Sequence, residues 1–302
     1  MADLVFAFDP ALDRPLPVPD TAPPAAAERV AGAVPAAFAS AVATAAASRA
    51  AALVLLGRVL DPLRASPAQA AALRAHVTAL ADAGCRTVVV ASCTADCHDL
   101  SRMLGEPRGL SFVTPLAGCE FDVRGLPVEI VSAHGPLAAA ATPPGLRRRI
   151  VVGCDSAPGS GPHDPATASY DADPFTVAAD TAPAWAQPGS FWVWGSRRPR
   201  PLPPGVHHVP ALQARDDREA GPGACGAVAL FDRGSGDRGP AAPLADWRGS
   251  WREVPTHRVA WRTVAVESPA GGDEELAATI RAALVGRPAE HVSAAEPLEV
   301  VR

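Results

Sequence analysis

Continuous apolar runs alternate with helical patterns over the first third of the chain. Leu4–Phe8, Ala52–Leu56 and Arg86–Ala91 are almost wholly apolar, as is typical of parallel strands that are covered on both faces. Between the first two runs, Ala25–Ala50 is predicted to form a long helix, in which Pro35 produces a kink or a break into two pieces. The apolar positions of this helix recur at helical spacing: Val30, Val34, Phe38 and Val42.

A second helix is predicted from the residues at its two ends. Ser66 supplies an N-cap, Pro67 fits the first helical position, and Gly84 should end the helix after Ala83. Strands and helices therefore alternate in the order βαβαβ, which predicts an α/β fold with right-handed crossovers. We expect the three strands to lie side by side in parallel.

The middle of the chain is richer in strand patterns. Its long segment Asp155–Pro188 is dense in Pro, Ala, Asp and Gly and is predicted to be a loop. Short strands are predicted around it, at 110–114, 120–124, 128–131, 149–153 and 190–195.

Polar residues follow each of the first three strands. The first strand runs into Asp9-Pro10-Ala11, the second into Gly57-Arg58-Val59-Leu60-Asp61, and the third is followed by Thr94-Ala95-Asp96. Because the carboxyl ends of parallel strands meet at one edge of a sheet, these residues should converge there.

The three segments resemble, in order, the Asp-x-His, Gly-Asp-x-x-Asp and Gly-Asn-His-Asp motifs of calcineurin-like metallophosphoesterases. The run Leu12-Asp13-Arg14-Pro15-Leu16 is similar to the SbcD-like DNA repair exonuclease branch of that superfamily. The likeness continues through 205–215, 219–232 and a strand at 259–266. It implies a two-sheet β-sandwich flanked by helices, in four αββα layers, over residues 1–270. Residues 271–302 would form a C-terminal helix and short tail, or a truncated cap region.

The resemblance also implies that most metal ligands have been replaced. Arg58 takes the place of the bridging carboxylate, and a guanidinium offers a metal no lone pair. Ala11, Thr94 and Ala95 replace His, Asn and His, while Cys154 replaces a later His. The Gly-His-x-His segment corresponds to the stretch containing Arg197. We expect a vestigial site with no catalytic residues and no metal, composed of Asp9, Ala11, Arg58, Asp61, Thr94, Ala95, Asp96, Cys154 and Arg197.

Several polar residues have two readings. Asp9 and Asp61 could hold one metal with Asp96, or they could cap loops and pair with Arg58 or Arg14. His98 with Asp99 could replace the lost catalytic pair or cap a helix, and Cys93-x-x-x-Cys97-His98 could bind zinc or pack in the core.

Strand alternation allows at most one of His207 and His208 to face the site. The Arg147–Arg149 and Arg197–Arg200 runs are interpreted as solvated faces, with phosphate contact as the alternative.

Composition and charge fit a soluble cytoplasmic protein. The chain of 302 residues has a formal net charge of -5, which does not favour nucleic-acid binding over its whole surface. A local basic groove remains compatible with that charge. We find no stretch of about 18 apolar residues and no leader segment, so we expect no membrane association. The six cysteines should be reduced thiols.

Two functions follow from these patterns. The first is a catalytically inactive metallophosphoesterase-fold protein that acts as a binding or structural subunit, with a nuclease or ATPase subunit as a partner and no cofactor. The second is an active Mn- or Mg-dependent phosphodiesterase or nuclease. It would draw an atypical ligand set from Asp9, Asp61, Asp96, His98 and His134.

Overall fold

The fold is described by a computed structural model of the whole chain. It describes residues 2–18, 22–91, 94–134, 148–155, 190–198, 201–215, 223–231, 248–262 and 298–301. The predicted 155–188 loop, apart from Asp155, and the helix predicted after residue 270 lie outside these ranges.

Six strands form the first sheet. Their spatial order is β11-β10-β1-β2-β3-β4, in which β1, β2, β3 and β4 are parallel and β10 is antiparallel to both of its neighbours. The predicted parallel arrangement of the first three strands is therefore confirmed. The strands are β1 (Leu4–Phe8), β2 (Ala52–Leu56), β3 (Arg86–Val90), β4 (Leu110–Val113), β10 (Ala224–Phe231) and β11 (Arg248–Pro255).

Five strands form the second sheet, in the order β5-β6-β7-β8-β9. Only the β5–β6 pair is antiparallel, because a short turn joins these two strands. They are β5 (Cys119–Val123), β6 (Leu126–Ser132), β7 (Arg148–Cys154), β8 (Ser190–Gly195) and β9 (Val206–Val209).

The two sheets pack face to face, so the protein has an α/β two-sheet sandwich as predicted. Alternate side chains of both sheets meet in one apolar layer that includes Phe6, Val54, Ile130, Ile150 and Val193. A bridge between Phe8 and Ala211 ties the end of β1 to the segment that follows β9. The carboxyl ends of strands from both sheets are thereby brought to the same edge of the sandwich.

Three helices are described, and all of them pack on the outer face of the first sheet: α1 (Pro24–Ser48), α2 (Pro67–Asp82) and α3 (Thr94–Leu104). The helix α2 begins with the predicted cap, since Ser66 Oγ accepts from Gln69 N and the Gln69 side chain accepts from Ser66 N. A helical layer on the other sheet, as the four-layer arrangement requires, stays a prediction.

Helix α1 is continuous across Pro35, so of the two predicted alternatives the break into two pieces is wrong, and the kink stays a prediction. Pro35 is exposed, and different parts of the fold hold the two halves of the helix: Val30 and Val34 pack with Leu16 and Val259, whereas Phe38 packs against the first sheet. Contrary to the reading of the sequence, this helix is long and apolar enough to cross a membrane by length and composition. A core helix passes the same test; the larger side chains Val30, Val34 and Phe38 are buried here, while alanines such as Ala43 and Ala46 are exposed.

Two strands near the end of the chain were not predicted as such. The first, β11, is polar at most positions because it is an edge strand, which gives it little strand signal in the sequence. The second, β13 (Leu298–Val301), lies in the predicted tail and pairs in parallel with β12 (Val259–Arg262).

Candidate functional site

The candidate site begins where β1 and β2 end, because their pairing continues into the following loops. Asp9 N donates to Leu56 O at 2.8 Å, Ala11 N to Arg58 O at 2.9 Å, and Leu12 N to Val59 O at 3.0 Å. Asp9 and Ala11 have positive φ angles of 50° and 39°, which form a tight turn in a region that L-residues rarely adopt. The two loops therefore run side by side and place Asp9 beside the second loop.

Glycines allow β8 to approach this turn closely. A Cβ on Gly195 would lie 2.4 Å from Phe8 Cδ2, and one on Gly57 would lie 2.8 Å from Phe8 Cε2. Only glycine lets the backbone come this close to the Phe8 ring. The residues directly after Gly195 are thereby carried over the end of β1.

Arg197 forms an ion pair with Asp9 across the two sheets. Arg197 Nε donates to Asp9 Oδ2 at 2.5 Å, and Arg197 Nη2 contacts the same oxygen. The Asp9 side chain is 2% exposed and that of Arg197 is 24% exposed. A buried carboxylate is thus held by a guanidinium.

The pairing of Asp9 with Arg197 corrects the expectation that Asp9 pairs with Arg58 or Arg14. Within the described part of the chain Arg58 has no ion pair, and its Nη1 is buried without a hydrogen-bond partner. Arg58 follows β2, in the same loop pair as Asp9, but the short approach of β8 gives Arg197 the contact instead. The cation predicted to neutralise Asp9 is therefore present but comes from a different strand.

Further arginines lie around the turn. Arg215 Nη1 donates to Arg14 O at 2.6 Å, and its Nη2 donates to Ala11 O at 3.3 Å. Burial lowers the pKa of Arg14, the nearby positive charge of Arg58 lowers it further, and Asp13 opposes both effects. Arg14, Arg58 and Arg197 therefore form a concentration of positive charge at this edge.

Asp61 and Asp13 organise the loops. Asp61 Oδ1 accepts a hydrogen bond from Leu63 N at 3.0 Å, so the predicted loop-capping role of Asp61 is confirmed. Its carboxylate pairs with Arg64 at 3.7 Å, so the predicted pairing with Arg58 or Arg14 is wrong. The side chain of Asp13 is fully buried; its Oδ1 accepts from Asp61 N at 3.1 Å. Arg14 pairs loosely with Asp13, at 3.9 Å.

Cys154 lies at the end of β7, close to the Asp9 carboxylate. Burial, and then the charges of Asp9 and Asp155, raise the pKa of this thiol to about 12. In the metal-free protein a thiol with that pKa is protonated at neutral pH. The neighbouring Asp155 accepts a hydrogen bond from Trp194 Nε1 at 2.9 Å.

The histidines within the described ranges do not gather at the site. His134 follows β6, and its Nε2 lies 3.1 Å from Cys154 O; burial lowers the pKa of this imidazole. His98 is exposed on α3. His207 stacks on Phe191 with ring centroids 4.5 Å apart, whereas His208 Nε2 lies 2.9 Å from Ser196 Oγ, so the two point to different faces as alternation predicted.

Thr94, Ala95 and Asp96 form the first turn of α3, directly after the end of β3. Their side chains, together with Cys93, lie outside the described part of the structure. The contribution of these residues to the site and the zinc hypothesis therefore stay predictions.

The described donor set does not fit a metal pair. A pair of divalent ions about 3.5–4 Å apart needs several carboxylate and imidazole ligands. No three His, Cys, Asp or Glu side chains of the described residues lie together in a way that could hold a metal. Ala11 has no donor atom, Arg58 cannot ligate, and Asp9 is already bound by Arg197.

Sequence reasoning missed or misjudged several residues around the site. Arg149 was assigned to a solvated face but is buried and donates to Glu129 at 2.9 Å, and Arg197 is likewise paired. The roles of Asp13 and Arg215 had no local signal, because both depend on loops that meet only in the folded chain. No protein-family model and no curated protein sequence matches this chain.

Proposed function

We propose that this protein is a binding protein with a metallophosphoesterase-like sandwich in which two-metal chemistry has been replaced by an arginine-rich site. The observation that carries this proposal is the ion pair between Arg197 and the buried Asp9 carboxylate. The motif resemblance makes Asp9 the remaining member of a ligand set. Here that carboxylate has a guanidinium as its counter-ion.

Two further features support a site without two-metal hydrolysis. Arg58 adds a second positive charge in the loop where the resemblance implies a bridging carboxylate. Cys154 stands where the resemblance implies a histidine ligand, and burial and the nearby carboxylates raise the pKa of its thiol to about 12. Without metals, the site lacks the means to generate a hydroxide nucleophile at neutral pH or to clamp the oxygens of a phosphodiester.

The alternative ligand set gains no support from the described geometry. His98 is exposed, Asp61 is committed to Arg64 and its own turn, and His134 Nε2 lies 3.1 Å from Cys154 O. The role proposed here is therefore to bind a ligand or to act as a subunit beside a nuclease or ATPase in the cytoplasm.

Calorimetric titration with Mn²⁺ and an assay of bis(p-nitrophenyl) phosphate hydrolysis test the proposal together. We expect no heat of Mn²⁺ binding and no hydrolysis above that of buffer. The matched variant is Asp9→Asn, which removes the carboxylate at nearly constant volume and should behave like the parent protein in both assays.

The opposite result would identify a rebuilt active site. Hydrolysis that depends on Mn²⁺ in the parent protein and is lost in Asp9→Asn would overturn the proposal. A variant that restores four of the implied residues should still give no activity, because Cys154 and Arg197 leave the other half of the site without ligands. The four changes are Arg58→Asp, Ala11→His, Thr94→Asn and Ala95→His.

A further inference from the structure

Three arginines from separate segments of the chain converge at the carboxyl edge of the sandwich. Arg14 belongs to the loop after β1, Arg58 to the loop after β2, and Arg197 to the segment after β8. The first two loops are joined by the hydrogen bonds from Ala11 N to Arg58 O and from Leu12 N to Val59 O, while Arg197 is anchored on Asp9. Their convergence is fixed by the backbone rather than by flexible side chains alone.

Arg58 is the member of this cluster with no described counter-ion. Its Nη1 has neither water-accessible surface nor a hydrogen-bond partner among the described residues, although the side chain as a whole is only half-buried. A guanidinium kept partly out of water without an acceptor destabilises the fold, and such groups are rare unless something else binds them. An anion that approaches from the exposed side would neutralise this charge.

The carboxylates near Arg58 are paired with other arginines and do not neutralise its charge. Asp9 is paired with Arg197, Asp13 is paired loosely with Arg14 at 3.9 Å, and Asp61 is paired with Arg64 and caps its own turn, so none of these carboxylates is paired with Arg58. The charges of Arg58 and Arg197 both act on Arg14 and lower its pKa, after the larger effect of burial. The described carboxylates therefore leave a positive excess at this edge, even though the chain as a whole carries a net charge of -5.

The chemistry of the cluster favours phosphate over carboxylate. A guanidinium presents paired N–H donors that match two oxygens of a phosphate or a carboxylate. A carboxylate has only two oxygens to share among three arginines. A terminal phosphate has three, and its double negative charge matches more than one guanidinium.

We propose that Arg14, Arg58 and Arg197 form a metal-independent binding site for a phosphate monoester group. This inference rests on the proposed function, because it requires that the site be free of metal ions. Arg58 provides the uncompensated charge, Arg197 is positioned by Asp9, and Arg14 completes the cluster. The phosphate could belong to a small metabolite or to the 5′ end of a nucleic acid.

The test measures phosphate binding by calorimetry and by thermal unfolding of the whole chain in the presence of EDTA. Inorganic phosphate at about ten times its Kd should raise Tm by roughly 3 °C. Arg58→Met should weaken phosphate binding at least about tenfold, because a charge-assisted hydrogen bond is lost. Its Tm without phosphate should equal or exceed that of the parent protein, which shows that the variant is folded.

Arg74→Met is the matched control, since Arg74 is an exposed residue of α2 and the variant has the same net charge as Arg58→Met. It should bind phosphate like the parent protein. The source of the phosphate is assigned by comparing a nucleoside 5′-monophosphate with a single-stranded oligonucleotide that carries either a 5′-phosphate or a 5′-hydroxyl. If the 5′-phosphate oligonucleotide binds more strongly than the nucleotide and the 5′-hydroxyl oligonucleotide, the phosphate belongs to a nucleic-acid end. If the nucleotide binds as strongly as the 5′-phosphate oligonucleotide or more strongly, the phosphate belongs to a small molecule.

Two results would overturn the inference, and they can be told apart. No phosphate binding in EDTA, or equal binding by Arg58→Met and the parent protein, refutes the arginine site and leaves the proposed function standing. Phosphate binding that appears only when Mn²⁺ is added would refute both, because the metal would then be the binding group.

Discussion

Replacing Arg197 by methionine should destabilise the protein more than any other single loss of charge at this edge. The change keeps the aliphatic stem of the side chain and removes the guanidinium that contacts Asp9 Oδ2. The Asp9 carboxylate would then be left in a position where its side chain is only 2% exposed. A buried charge without a partner is among the most costly defects in a folded protein.

The magnitude follows from the burial of the two partners. Breaking a buried ion pair by removing one partner costs about 3–5 kcal/mol. Because Arg197 is 24% exposed, water can partly replace it, and we expect a loss of about 2–4 kcal/mol in the free energy of unfolding. Asp9→Asn should cost less, about 1–2 kcal/mol, because it leaves the partly exposed Arg197 within reach of water.

A double-mutant cycle measured by urea unfolding separates the ion pair from other effects. In the variant with both Asp9→Asn and Arg197→Met, neither position is left as a charge that has lost its partner. Its loss of stability should therefore be smaller than the sum of the single losses by about 1–3 kcal/mol. Repeating the cycle in an Arg58→Met background excludes rescue of Asp9 by the neighbouring guanidinium.

Two results would refute this reasoning. A loss below about 0.5 kcal/mol for Arg197→Met would mean that Asp9 is hydrated or is neutralised by another group. Additivity of the two single changes within about 0.5 kcal/mol would mean that the pair has no energetic coupling.

Two further predictions concern the turn and the thiol beside the ion pair. Because φ is 39° at Ala11, Ala11→Gly should be neutral or stabilising by up to about 1 kcal/mol in urea unfolding. Ala11→Val should be clearly destabilising. Equal stability of the two variants would contradict the strained turn. Cys154 should resist iodoacetamide at pH 8 in the folded protein but react in urea, as measured by peptide mass spectrometry, because its pKa is raised from 9.0 to about 12. Since the thiol of the unfolded chain loses its proton at a lower pH, the contribution of Cys154 to stability should be complete below pH 9 and should fall as the pH rises towards 12. Cys154→Ala should reduce that fall. Rapid alkylation of the folded parent protein would contradict the prediction, because it would show that the thiol is accessible.

The apolar runs determined that β1, β2 and β3 lie side by side in parallel in the first sheet. The segments that contain β1, β2 and β3 are apolar enough to be buried on both faces, and the helical patterns between them require parallel crossovers. The Ser66 cap was likewise predictable, because capping depends on residues that are adjacent in sequence. Local periodicity carries this information without reference to the rest of the chain.

Local signals failed where an element is stabilised by distant contacts. Pro35 predicts a break in any isolated helix, yet α1 continues because buried residues on both sides of the proline are packed, those before it with Leu16 and Val259 and those after it on the first sheet. The edge strand β11 is too polar to resemble a buried strand, but β10 supplies its hydrogen-bond partners.

In the candidate site, the sequence determined which residues lie at strand ends, and only the tertiary structure decided how they pair. The sequence by itself placed Asp9, Arg58 and Asp61 at strand ends, because their positions depend only on where each strand stops. Which arginine pairs with Asp9 was decided by the packing of the two sheets, where the missing side chain of Gly195 lets β8 approach Phe8 and carry Arg197 over the end of β1. An ion pair between residues 188 positions apart depends on distances in space, and no local pattern specifies those distances.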